Sequence, residues 1–193
     1  MMAASSSSAR FSEFGASVEM VEALELPGTP GAERPCELLH LARKARVEAS
    51  FDEAEEHLDE AVALLARLRM LPGAVESGAD IVDLEDENTR RARVELLHAR
   101  ALHELGEVRS EMGELDGAQD ALVDAIDLFG RLRLRYDDGA RSLGKYCQPN
   151  ELYLADRRAR SCLEFVRMRL EFRNATAMLC GCGGSHDADP ATV

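Results

Sequence analysis

Residues 113–129 read GELDGAQDALVDAIDLF. Ala118, Leu122, Ala125 and Phe129 recur at helical spacing, and Gly113 stands in front of them as a breaker. An earlier stretch, ASFDEAEEHLDEAVALL at 49–65, follows the same pattern. Ala54 falls on Ala118, Leu58 on Leu122, Ala61 on Ala125 and Leu65 on Phe129. The agreement continues upstream, with Leu38 on Leu102, Leu41 on Leu105 and Ala42 on Gly106. Small residues at such places let two helices approach closely, and leucines fill the space between them. One isolated amphipathic helix does not require this agreement, so the stretch reads as the second helix of a repeated two-helix unit.

That unit resembles the tetratricopeptide (TPR) repeat, a 34-residue helix–turn–helix motif. Residues 99–132 match it better, with Leu102, Leu105 and Gly106, a turn at Gly113, then Ala118, Leu122 and Ala125. Residues 35–68 keep the leucines and alanines but carry Ala42 and Ala49 where the second copy has glycine. Both copies lack the proline that usually ends the unit, having Ala66 and Gly130 there, and Arg109 stands where an aromatic is expected. The copies lie 64 residues apart, displaced from a 34-residue register by an acidic segment and a lengthened helix. The resemblance implies an all-α fold: antiparallel helix pairs stacked as a short TPR-like right-handed α-solenoid, closed by a C-terminal capping helix.

The rest of the chain agrees with an all-α class. Of 193 residues, 46% are hydrophobic but only 5% aromatic, with no tryptophan, and Ala, Leu, Glu and Arg favour helix. The expected organisation is a disordered N-terminal tail (1–33), a helical domain (34–173) containing an acidic loop (74–87), and a disordered C-terminal tail (174–193). Within the domain, helices are expected over 35–70 with a turn near Ala49–Phe51, from Asn88 to Gly113, over 113–129, and over 150–173. Gly130, Gly139, Gly144 and Pro149 punctuate the segment between the last two. No apolar run is long enough to span a bilayer, so no membrane partner is expected. Five cysteines at irregular spacing without a secretory signal point to a reducing, cytoplasmic location.

The net charge of −13 is unevenly spread. Residues 131–173 carry 11 basic and 6 acidic side chains, whereas residues 1–130 carry 12 and 28. An acidic body excludes nucleic acid as the main ligand, but the basic segment 131–173 could dock on the acidic body of a second copy. No phosphate-binding loop, dinucleotide fingerprint or H-E-x-x-H motif occurs. His98 and His103, five apart, do not share a helix face as residues four apart would. Cys180, Cys182 and His186 offer three soft ligands in the expected tail. The expectation is no enzyme, no cofactor and no metal.

What remains is binding. In the tetratricopeptide family the first helices of successive units line a groove that receives a peptide or helix of another protein. Carried over to this chain, the resemblance puts Cys36, Leu39, Arg43 and Arg46 of the first copy in the groove, with Arg100, His103, Glu107 and Ser110 of the second. The lysine/asparagine clamp of chaperone-binding members has no counterpart at these positions. Arg43, Arg46 and Arg100 are the candidates for pairing with a partner's carboxylates. AEEHLDEAVALLARLRM and GAQDALVDAIDLFGRL are also similar, over a short span, to helices of kinesin-binding proteins. The expectation is a non-enzymatic adaptor or assembly subunit, with self-association or motor regulation as alternatives.

Overall fold

A computed structural model describes residues 31–70, 81–137 and 149–181, all within one unit, Gly31–Val193. The described residues form five α-helices and no strand: α1 (Glu33–Val47), α2 (Phe51–Met70), α3 (Ile81–Met112), α4 (Leu115–Asp137) and α5 (Pro149–Gly181). Each helix packs chiefly on its neighbours in the chain, and α3 also touches α5 along a short stretch. The all-α expectation holds, and among the described residues no helix is long and apolar enough to cross a membrane.

The 64-residue correspondence extends from residue types to backbone hydrogen bonds. At the end of α1, Ala49 N–H donates to Arg46 O (3.1 Å) and Ser50 N–H to Ala45 O (2.9 Å). At the end of α3, Gly113 N–H donates to Ser110 O (3.3 Å) and Glu114 N–H to Arg109 O (2.9 Å). Both are Schellman endings, in which the two residues past the helix satisfy its last carbonyls and the pivot is left-handed. The pivots are Ala49, at φ 58°, and Gly113, at φ 90°. The next helix begins identically in each copy, with Ala54 N–H donating to Ser50 O and Ala118 N–H to Glu114 O.

Side-chain packing repeats at the same interval. Leu38, Ala42, Ala54, Leu58, Ala61 and Leu65 are buried, and so are their counterparts Leu102, Gly106, Ala118, Leu122, Ala125 and Phe129. Gly106 marks the tightest approach. A β-carbon there would lie 2.6 Å from Leu122 Cγ and 3.2 Å from the Ala118 carbonyl oxygen. Helix α5 completes the core, with Leu152 and Ala159 joining Phe129 and Leu132 while Leu163, Val166 and Leu170 cover Leu115, Ala118 and Leu122.

Three boundaries differ from those expected. Helix α3 begins at Ile81, so the part of the acidic segment from residue 81 onward is helical, and residues 71–80 lie outside the described ones. A run of carboxylates is compatible with a helix start, where the backbone dipole favours negative charge. Helix α4 passes through Gly130 to Asp137. The cost of a helical glycine, about 1 kcal/mol, is outweighed here by burial of Phe129 and Leu132 on either side. Helix α5 continues to Gly181, so 174–181 are helical where an aperiodic tail is expected, and the Thr176 hydroxyl bonds back to the Phe172 and Arg173 carbonyls. Residues 1–30, which make up most of the expected N-terminal tail, lie outside the described residues, as do 138–148 and 182–193.

Two substitutions test the repeat's geometry in opposite directions. Ala49→Gly removes the steric cost of a left-handed pivot and should raise stability by about 0.5–1 kcal/mol. Gly106→Val places carbon inside the contact with Leu122 and should lower stability by about 1–3 kcal/mol. Urea midpoints of the two variants, compared with the parent chain at equal m-value, check both.

Candidate functional site

The expected groove residues come from α1 and α3, and the fold joins Arg46, His103 and Glu107 to one another. Arg43 donates from Nε and Nη2 to Glu104, at 3.1 and 2.5 Å. Arg46 reaches two carboxylates, Glu107 Oε2 through Nη1 and Glu111 Oε1 through Nη2, both at 2.6 Å. The forked, planar guanidinium allows this double engagement, which a lysine could not reproduce. Burial disfavours the Arg46 charge, but Glu111 and Glu107 outweigh it and hold the guanidinium more firmly protonated than usual. Arg43 and Arg46 are therefore already matched inside the chain. Arg100 is half-buried and also engaged in an interaction of its own, and Leu39 is a core residue. Ser110 is buried, and Arg169 on α5 donates to its carbonyl at 2.6 Å.

Glu107 lies where three helices meet. Its Oε2 accepts from Arg46 on α1. Its Oε1 lies 3.6 Å from His103 Nε2, one turn back on α3, and 3.7 Å from Cys162 Sγ on α5. Burial raises the Glu107 pKa, yet the neighbouring His103 and Arg46 outweigh it and hold the carboxyl below its usual range. His103 is shifted the other way: burial pushes its imidazole below the ordinary value, against the pull of Glu107 and Glu104, and Nε2 has no hydrogen-bond partner. The Cys162 thiol is pushed up to about 11, by burial first and then by Glu107.

The other histidine of α3, His98, is buried with an unpartnered Nδ1, and burial together with Arg69 lowers its pKa to about 4. Neither His98 nor His103 is an ordinary surface residue. Cys36 is half-buried, with its thiol raised by burial and by Glu33. The cluster of Cys180, Cys182 and His186 falls outside the side chains described here. The i,i+4 spacing of His103 and Glu107 is visible in the sequence. Nothing in the sequence points to Cys162 as their neighbour, because it stands 55 residues further on.

A second feature is absent from the expected site. Helix α5 exposes Leu154, Phe165, Met168, Phe172 and Leu179, and their spacing puts them along one side of the helix. Phe172 is 72% exposed and Met168 61%, values unlike those of core residues on the same helix. Arg169 lies beside this stripe, its guanidinium 5.7 Å from the Phe165 ring centre.

The α1–α3 ion pairs predict an asymmetric response to mutation. Arg46→Met strands Glu107 and Glu111 beside each other and should cost about 1.5–3 kcal/mol. Arg34→Met removes an exposed pair with Glu37 and Glu60 and should leave the midpoint unchanged. Parallel thermal melts of the two variants read the difference.

No protein-family model, curated protein or solved structure matches this chain.

Proposed function

We propose that this chain is a non-enzymatic interaction module, an adaptor or assembly subunit, built as a short right-handed TPR-like α-solenoid. The 64-residue repeat of turns and packed positions supports antiparallel pairing within each copy. The ion pairs support stacking of the copies, since they advance in the same sense along α1 and α3: Arg43 to Glu104, then Arg46 to Glu107 and Glu111. Helix α5 takes the part of a further first helix, which its contacts with both α3 and α4 favour.

The observation that carries the reading is the exposed apolar side of α5. Phe165, Met168 and Phe172, exposed one turn after another on a charged protein, are costly in water and mark a surface meant to be covered. Its helical spacing and flexible methionine suit an amphipathic helix of another protein, docked side by side. This moves the binding surface away from Arg43, Arg46 and Glu107, whose charges meet within the chain.

Self-association is the second reading, and the same stripe favours it over the basic segment. Arg135 pairs with buried Glu95, Arg133 and Arg160 with buried Asp156, and Arg173 with Asp116. These four of the eleven basic side chains of 131–173 are thus met by carboxylates of the same chain, whereas association through the stripe would resist salt.

The test uses the full chain and the variant Met168→Glu/Phe172→Glu, checked for unchanged helicity. Light scattering at low and high salt gives the mass, and affinity capture from native cells followed by mass spectrometry gives the partners. A monomer that loses its captured protein in the variant supports the adaptor reading. A salt-resistant dimer that becomes monomeric in the variant supports self-association. Mass and captured proteins indifferent to the variant overturn both.

A further inference from the structure

We propose that His103, Glu107 and Cys162 form a binding site for a zinc-class divalent cation that joins α3 to α5. The inference goes beyond the interaction module and does not depend on it.

The donor set comes first. An imidazole nitrogen, a carboxylate oxygen and a thiol sulfur all lie within 4.8 Å of one another. These are the ligand types of a borderline-soft ion, and their number leaves one position of a tetrahedron open. Magnesium and calcium prefer oxygen ligands throughout and are poorly served by sulfur.

Geometry narrows the inference further. Around a tetrahedral zinc, with bonds of about 2.0–2.3 Å, neighbouring ligand atoms stand about 3.3–3.6 Å apart. Glu107 Oε1 lies 3.6 Å from His103 Nε2 and 3.7 Å from Cys162 Sγ. The Cys162 contact is a long thiol hydrogen bond to Oε1, the His103 contact exceeds hydrogen-bond length, and both separations are close to those an ion would impose. Small side-chain rotations would complete the approach.

Two independent observations point to a missing ligand. His103 Nε2 is buried and has no hydrogen-bond partner, although it faces a carboxylate. A buried ring nitrogen without a partner is expensive unless something binds it. Glu107 is also oriented as supported metal ligands are, one oxygen fixed by Arg46 at 2.6 Å and the other turned toward the cluster. The nearby charges are mixed: Arg46 and Arg158 oppose a cation and Glu104 favours one. The Cys162 thiol therefore has to yield its proton. On binding, the S–H bond breaks, a metal–sulfur bond forms and the proton passes to solvent, while His103 binds as neutral imidazole. The product is a cross-brace between two helices that otherwise touch along a short stretch.

The experiment uses the full chain with Cys180→Ser/Cys182→Ser, which removes the thiols near the C-terminus as competitors. Zinc is titrated alone by calorimetry, and cobalt(II) serves as the optical probe. The expected result is one equivalent bound, with a cobalt spectrum showing thiolate-to-metal charge transfer and intense tetrahedral bands. Adding His103→Gln or Cys162→Ser should each weaken zinc by at least about tenfold, and Cys162→Ser should abolish the charge-transfer band. Excess magnesium should not compete. Cys162→Ser keeps the side chain's shape, so it decides the matter should His103→Gln perturb folding. No binding in the Cys180→Ser/Cys182→Ser chain, or binding and spectrum unchanged by Cys162→Ser, overturns the proposal.

Discussion

The approach of α3 to α4 at Gly106 is the contact on which the rest of the fold depends. With only hydrogen on that α-carbon, Leu122 can seat against the backbone of α3, and the line of α4 is fixed. Ala118 and Ala125, one turn to either side, keep the helices close along the same edge. Helix α5 then has a defined surface to cover, with Leu163, Val166 and Leu170 on one part of α4 and Leu152 and Ala159 on another. Without that approach, Glu107 on α3 and Cys162 on α5 would have no reason to meet.

Much of this was legible in the sequence, because packing by small residues leaves a pattern of types. The alanines at 54, 61, 118 and 125 and the leucines between them identify the buried faces, and each is buried in the structure. Turn positions were legible too. Ala49 in a left-handed pivot shows that the first copy keeps the backbone path of the second even without its glycine. Helix ends were less legible, since charge content and single glycines are weak signals beside burial. Gly130 carries no turn because Phe129 and Leu132 hold its flanks in the core.

The candidate site was legible only in part. Positions on α1 and α3 follow from the repeat, and Arg46, His103 and Glu107 do come together. Their electrostatic role is not contained in the repeat, because a groove position says nothing about which side chain meets it from the next helix. Arg43 and Arg46 read as ligands for a partner, whereas Glu104, Glu107 and Glu111 already bind them. The same applies to the basic segment. Its surplus looks available in a linear count, but Glu95 and Asp116, carboxylates from outside the segment, meet part of it once the helices pack. Contacts between residues far apart in the chain decide both cases, and no local pattern announces them.

Arg109 and Gly117 show how two copies of one unit can diverge without losing their fit. Arg109 reaches from α3 to Glu55 and Asp59 on α2, and its stem passes the start of α4 so closely that a β-carbon on Gly117 would stand 3.3 Å from its Cδ. At the equivalent positions of the first copy, Ala45 is the small residue and Glu53 the large one. The second copy thus carries a long side chain where the first has a buried alanine, while the backbone has kept its course. In the second copy the exchange turned a buried packing position into a tether to the preceding helix. Gly117, with no side chain of its own, leaves the space through which the stem of that tether passes.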